Sequence, residues 1–458
     1  MTAAPPAIAS WTKPSDIYTL TVKKGGTTYG LESGFVFFEY FESIFSPIVT
    51  GNVSFIDTGF GTNQGTITNA LQISGNEEVA VLINHPSGSL YFDDTNQHFR
   101  ITRIHDLGTS DQAKLTGFSL VSRYEKKNKI TSVDGAYKNN IRNSLQDILR
   151  NKLGVPISKL NLENTQNSLN FKGSGRTPFD IALFLAPRSR PVQGAAGFVF
   201  YETASGLNFR SVNSLIKTTP VGHYTAKGVA AGGENQHSSC RIIKHNFVKE
   251  LDISEMENYG QFRNRTSYFN PITQEITTDS FDYGTIVDFA NLGSETSWEQ
   301  SNNIREAFSG DYELDYNLEL DKIPTFYKFF DPGNNASAPF QTVFDSNQTV
   351  SAECNKVIQE INNDPRLYQA MSIMRYQSLF SEIVDIVIPC NLFLRAGHVI
   401  YCEFKKHSGT TTSASPNDEW KSGKYLIMHL SHKFNQHGDM GSTTHLRVSR
   451  DTRGMYSP

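Results

Sequence analysis

Residues 37–57 read FFEYFESIFSPIVTGNVSFID, and the order of apolar and polar side chains along them decides the fold class. Phe35, Phe37 and Glu39 alternate as a strand does, whereas Phe38, Phe41 and Phe45 recur at helical spacing. The stretch therefore predicts a short strand, then one turn of aromatic helix that Ser46-Pro47 stops. Alternation resumes at once, with Val49, Gly51, Val53 and Phe55 on one face and Thr50, Asn52 and Ser54 on the other. So much aromatic surface needs a partner: Phe37–Phe45 either fills its own barrel or packs on a neighbouring subunit.

Outward from this stretch, most of Asp16–Val121 reads as short strands: Ile17–Val22, Phe35–Glu39, Ile48–Asp57, Ile67–Ile73, Glu78–Ile83, Phe99–His105 and Lys114–Val121. Turn signals such as Lys24-Gly25-Gly26 and Ser74-Gly75-Asn76 separate them, a spacing that suits a sandwich or barrel. The pattern then changes. Asp134–Leu153 carries Ile141, Leu145, Ile148 and Leu149 on one helical stripe, and Gly154 is its stop. Thr177 caps a second helix, with Pro178 at its first position and Asp180 in its first turn, ending at Pro187. Gly197–Tyr201 and Leu207–Ser211 form a hairpin about Ala204-Ser205-Gly206. Strands return at Arg241–Ile253 and Tyr268–Tyr283. Helices follow at Ser351–Ile361 and Pro365–Phe380, and strands at Glu382–Ile388, His398–Phe404, Tyr425–Phe434 and Thr444–Ser449 close the chain. The polar stretch 284–350 and the Ser/Thr-rich loop 405–424 give no clear element.

Composition narrows the function classes. The 458 residues call for two to four domains. Aromatics reach 12%, a bias shared by strand-rich cores and subunit interfaces. A formal net charge of -4 argues against a general nucleic-acid binder, although a conduit for DNA would need no basic excess. Cys240, Cys354, Cys390 and Cys402 lie too far apart for a CxxC motif; free buried thiols are expected, with a Cys390–Cys402 bridge as the alternative. No apolar run spans a membrane and the first residues form no secretory signal, so the expectation is a chain made in a cytoplasm without membrane anchoring.

Chemistry-bearing residues gather in few places. His429, His432, His437 and His445 cluster near the end, but His429 and His432 sit an odd number apart and face opposite ways on a strand. Ordinary strand histidines are expected rather than a metal site. Asp93-Asp94 and Glu319/Asp321 are the carboxylate pairs that glycoside hydrolysis would need, yet turn chemistry and solvated surface account for both. Gly173-Ser174-Gly175-Arg176 precedes a helix and reads as a connector rather than an anion site. No catalytic residue, cofactor site or metal site is assigned, and the chain is expected not to be an enzyme.

The 37–57 stretch resembles the N-terminal barrel of the central baseplate hub of contractile-tailed bacteriophages of the T-even type. The likeness lies in an acidic-aromatic turn, a Pro and a GNVSFID-like strand, continued by LQISGNEEVAVLI at Leu71–Ile83. Lys424–Asn435 (KYLIMHLSHKFN) with Gly441–Asp451 (GSTTHLRVSRD) resembles the closing hairpin of that family, and Asp134–Ser211 its middle domain. The resemblance implies a mainly β chain with α+β insertions: two tube-like β-barrels plus a mixed α/β body. The boundaries it implies are 1–122 for the first barrel, 123–239 for an α+β domain, and 240–283 with 378–458 for the second barrel. Residues 284–377 would be an insertion packed on the body. It further implies a virion component assembled in the host cytoplasm. That component would be a homotrimer joining a sixfold tail tube protein to a threefold tail spike protein, among other baseplate proteins, around a channel that DNA passes without specific binding. Two equivalent docking surfaces per subunit require the end regions to be superimposable barrels, related by about a sixty-degree turn about the ring axis. The rival readings are a receptor- or carbohydrate-binding tail protein and a hub-fused cell-wall hydrolase.

Overall fold

The aromatic stretch is one unbroken strand. In the computed structural model, which describes residues 16–57, 66–70, 72–93, 98–109, 114–226, 240–250, 252–261, 263–269, 274, 276–282, 292, 325–329, 365–406, 417–435 and 441–452, Phe35–Ser43 is extended throughout. The expected helical turn is absent because strands flank the segment on both sides and satisfy its backbone along the whole length. A bulge at Val36, between the paired residues Phe35 and Phe37, resets the alternation so that Phe38 and Tyr40 point inward, both fully buried. The spacing of Phe38 and Phe41 that mimics a helix comes from that phase change.

The strands of the first lobe are β1 (Asp16–Lys24), β2 (Thr27–Gly30), β3 (Phe35–Ser43), β4 (Thr50–Asp57), β5 (Glu78–His85), β6 (Gly88–Phe92), β7 (Phe99–Thr109) and β8 (Lys114–Ser122). The expected strand at Ile67–Ile73 is instead a short helix, Ile67–Ala70. The Asp57 carboxylate accepts from the Ile67 and Thr68 N–H groups at 2.9 and 3.2 Å and so starts the turn. The body contributes β9 (Ala136–Tyr137), β10 (Leu160–Leu162), β11 (Phe171–Lys172), β12 (Phe198–Thr203) and β13 (Gly206–Ser211). The second lobe contains β14 (His223–Thr225) and β15 (Lys244–Lys249). Then come β16 (Arg263–Phe269), β17 (Ile276–Asp282) and β18 (Thr325–Phe329), and finally β19 (Glu382–Pro389), β20 (Val399–Glu403), β21 (Gly423–Asn435) and β22 (Thr443–Arg450).

The fold is mainly β with α+β insertions. Fourteen strands form one sheet along the path β15-β19-β22-β21-β3-β4-β8-β7-β5-β1-β2, with β6 beside β5, β20 beside β21, and β14 beside β20. In the first lobe, the Leu31 N–H after β2 donates to Leu20 O and extends the β1–β2 pairing. The second lobe curls back on itself: Ile242, just before β15, donates to Thr225 O on β14. One apolar core runs through both lobes, from Leu20 to Val448. Two strand placements differ from expectation. β14, at 223–225, belongs to the second lobe rather than to the α+β segment. β16 and β17 pair with β18 in a separate three-stranded sheet, so of 240–283 only β15 enters the lobe.

The body follows its sequence signals closely. Asn140 caps a helix at Ile141–Asn151, accepting from Arg142 N–H, and its Ile141, Leu145, Ile148 and Leu149 are fully buried. Thr177 caps Pro178–Leu185 as expected, and the hairpin closes at Ala204-Ser205. Residues 173–176 are a tight connector: a Cβ on Gly173 would lie 1.9 Å from Val133 O, and Gly175 has φ of 75°. The helix Pro365–Ser378 docks on the body through Ser372, whose Oγ donates to Pro187 O at 2.8 Å, and on the second lobe through Arg375, whose Nη1 lies 2.9 Å from Asp451 Oδ2 with both side chains fully buried. The expected helix at 351–361 and most of 284–350 lie outside the described residues.

Candidate assembly interface

The two lobes carry the same strand order. From one end of the sheet the first lobe runs β7-β8-β4-β3, and the second runs β21-β22-β19-β15. Each begins with a chain-sequential hairpin and then takes the two preceding inner strands in reverse order, with every neighbour antiparallel. The match extends to single residues. β7 has a bulge between Ile101 and Arg103, and β21 has one between Ile427 and His429. Ile101 exchanges backbone hydrogen bonds with Asn76 and Glu77, and Ile427 does the same with Gly397 and His398. Aligning the bulges superposes buried Thr116, Phe118 and Leu120 of β8 on buried Thr444, Leu446 and Val448 of β22. On the next strand it brings Gly51, Val53 and Phe55 of β4 onto Val384, Ile386 and Ile388 of β19. Such agreement of register and burial is that of a duplicated unit.

The duplicated units meet at β3 and β21, which pair antiparallel from Ser43/His429 to Phe37/Asn435. Apolar rings cross this seam: Phe38 stacks on Phe434 at 6.0 Å, and Tyr40 on the His432 ring at 6.1 Å. Polar groups lock it. Glu39 takes a hydrogen bond from Ser431 at 2.7 Å and pairs with Lys433 at 3.0 Å. Behind it, Glu42 is buried and accepts from Tyr40 Oη (2.6 Å), Ala204 N–H (2.8 Å) and Ala396 N–H (2.8 Å), so it ties both lobes to the body hairpin. Burial raises the Glu42 carboxyl above its ordinary range, against the pull of the Arg395 guanidinium. Glu202, wholly buried on β12, accepts from Val49 N–H at 3.0 Å and Ser122 Oγ at 2.7 Å. Burial pushes it up to about 8.

Beyond the seam, each lobe presents another strand. Among the described residues, β7 after its bulge pairs with β8 alone and β15 pairs with β19 alone. Both present apolar side chains to solvent: Ile104 and Leu107 on β7, Val248 on β15, with Ile243 just ahead of β15.

Among the described residues, those singled out in the sequence do not converge on a reactive centre. His432 is buried, its Nδ1 2.9 Å from Thr444 Oγ1, while His429 is exposed on the other side and lies beside Phe45. Burial lowers the pKa of His429, His432 and His445. His437, Asp94, Glu319 and Asp321 lie outside the described residues. Cys390 and Cys402 are free buried thiols, the former pushed up to about 12 by burial. Among the described residues no three His, Cys, Asp or Glu side chains gather as a metal site would need, and no helix is long and apolar enough to cross a membrane. Phe45 stacks on Phe380 of the chain itself at 5.5 Å, so that end of the aromatic segment packs within its own subunit. Sequence reasoning missed Glu42 and Glu202. The available signal was a carboxylate at an inward position of a strand otherwise apolar or aromatic, where a buried charge needs donors.

Whole-chain comparison agrees with this geometry. The fold is similar to the tail protein from Neisseria meningitidis MC58, with a TM-score of 0.51 at 9% identity, covering 94% of this chain and 96% of that one. It is also similar to the 43 kDa tail protein of prophage MuSo2 from Shewanella oneidensis, with a TM-score of 0.50 at 10% identity, covering 94% and 98%. No family model matches the sequence, and no curated protein matches it. The likeness is one of fold, shared with these two tail proteins.

Proposed function

We propose that this chain is a structural component of a phage tail, the central baseplate hub, that assembles as a homotrimer. The observation that carries the reading is the internal duplication. Three copies of a two-lobed chain present six like lobes, so the ring meets a sixfold tail tube on one side and a threefold spike on the other. The seam at β3 and β21 fixes two lobes side by side in one continuous sheet, the arrangement a ring of lobes requires. The whole-length likeness to two tail proteins supports the same reading. The finer assignment, to the T-even type of contractile tail, rests on the sequence resemblance alone. In this reading the hub works with the tail tube protein, the spike and other baseplate proteins. It is assembled in the host cytoplasm into the virion, and its channel passes DNA without gripping it. Its role is structural and not enzymatic; peptidoglycan zymography of the purified chain should stay blank, and a clearing zone would favour a hub-fused hydrolase. Light scattering on the native particle tests the assembly: three times the 51.2 kDa chain mass is expected, and a strict monomer or a hexamer would defeat it.

A further inference from the structure

Resting on the ring reading, we propose that the sheet continues from copy to copy, with β15 of one chain adding antiparallel to the outer edge of β7 in the next, in the register of the internal seam. The duplication supplies the template. On the side away from β22, β21 has two partners: before its bulge it pairs with β20, and after it with β3. β7 is built alike, pairing with β5 before its bulge, yet beyond it the strand position that β3 fills beside β21 has no strand among the described residues. β15 is the counterpart of β3, and it too lacks a strand on its outer side among the described residues. Each chain thus holds both halves of a second seam, one on β7 and one on β15, with six strands between them along the sheet, and each half can meet its complement on another copy. A heterologous contact of this kind, repeated head to tail, closes a ring when its rotation divides a full turn and runs on as a filament when it does not.

The side chains fit that occupant. An exposed edge strand with apolar residues invites strand addition unless something covers it. Ile104 and Leu107 on β7, with Val248 on β15, are such residues at both edges. Transferring the register makes the pairing specific. Ser431 lies opposite Phe41 in the internal seam, and their counterparts, matched through their partners on β8 and β19 and past a bulge at Val248 that β3 lacks, are His105 and Lys249. Leu430 lies opposite Glu42, and the counterparts are Ile104 and Glu250. A glutamate therefore recurs at the same place. In the single chain Glu250 is half-exposed and pairs with Lys421 at 2.8 Å. The Ile44 N–H to Met428 O bond sets the phase of the internal ladder, so Phe41 and Ser431 form a non-hydrogen-bonded pair, the kind whose side chains approach closest.

Cysteine cross-linking in the full-length chain reads this directly. His105→Cys combined with Lys249→Cys, under mild oxidation, should give two-chain and three-chain bands on a non-reducing gel, ending at three. Each single variant supplies the background from native cysteines. Ile104→Cys with Lys249→Cys, slipped by one residue, turns the thiols to opposite faces and should lose the three-chain band. A native particle of three chains with no ladder, or with an equal ladder from the slipped pair, overturns the strand pairing and leaves the ring reading standing. A single-chain mass with no ladder overturns both. A ladder running past three chains keeps the pairing and overturns the closed ring.

Discussion

Glu202→Gln tests how the lobes are tied to the body. In the fold the carboxyl sits at zero exposure between two donors, Val49 N–H and Ser122 Oγ–H, and burial raises its pKa from 4.5 to about 8. The unfolded chain releases this proton near pH 4.5 and the folded chain keeps it to about 8, so the folded state holds the extra proton between those values. Stability contributed by this group is therefore full below pH 4.5 and falls as pH rises towards 8. At about 1.4 kcal/mol per pH unit, the loss between pH 6.5 and 8 is about 2 kcal/mol. Histidines push the other way at lower pH. Burial depresses His85 and His398 to about 4, so each makes stability rise with pH from there to 6.5 and is silent above. The alkaline limb thus belongs to the buried carboxyls. Gln keeps the shape, can accept from Val49 and cannot ionise. Urea midpoints at pH 6.5, 7.2 and 8 should fall in the parent and stay flatter in the variant, by about 2 kcal/mol across the range at constant m-value. Parallel slopes would show that Glu202 is already ionised in the fold and refute the reasoning.

Three further outcomes can be checked by denaturation. Arg375→Met leaves Asp451 buried without its 2.9 Å partner, and the urea midpoint should drop by the equivalent of about 3–5 kcal/mol. Thr177→Ala removes the side-chain acceptor of Asp180 N–H at the start of Pro178–Leu185 and should cost about 1 kcal/mol in thermal or urea unfolding. Lys433→Glu sets a second carboxylate directly opposite Glu39 across the seam; because Lys433 is a third exposed, the loss should be only about 0.2–1 kcal/mol and should shrink in high salt.

Much of the fold was legible because local signals and tertiary demands agree. The alternation from Val53 to Phe55, the cap at Thr177 and the stripe from Ile141 to Leu149 each name an element that the structure contains. Where the sequence misled, a bulge or a remote cap had changed the phase. Val36 turned a strand into an apparent helical turn, and Asp57, ten residues upstream, turned Ile67–Ala70 from an apparent strand into a helix. The candidate interface was less legible. Its defining features are the equal bulges at Thr102 and Met428 and the partners on either side of them, and hydrogen-bond register leaves no mark in residue identity. The duplicated strands share burial more than letters: Phe118 stands for Leu446, and Gly51 for Val384.

The duplication also explains where the chain gained its length. In the first lobe β3 and β4 are joined by the short turn Ile44–Val49, which Ser46 Oγ ties down by donating to Ile48 O at 2.8 Å. The corresponding connection in the second lobe, between β15 and β19, runs from Glu250 to Ser381 and carries the helix Ile253–Asn258, the sheet of β16, β17 and β18, and the helix Pro365–Ser378. A connection at one end of a hairpin tolerates such growth, because lengthening a loop costs closure entropy that rises only logarithmically with length. The growth leaves Lys244–Phe247 of β15 on β19 in the register of Phe37–Tyr40 of β3 on β4, before β15 bulges at Val248, so the second lobe keeps its place in the sheet. It is also anchored: Gln261 donates to Ser381 Oγ at 2.9 Å, and Arg375 reaches Asp451 just past β22. The inserted unit thus starts directly after Lys249, not after residue 283. Strand-rich sequence on both sides of that point hid the boundary, and only the counterpart turn in the first lobe reveals it.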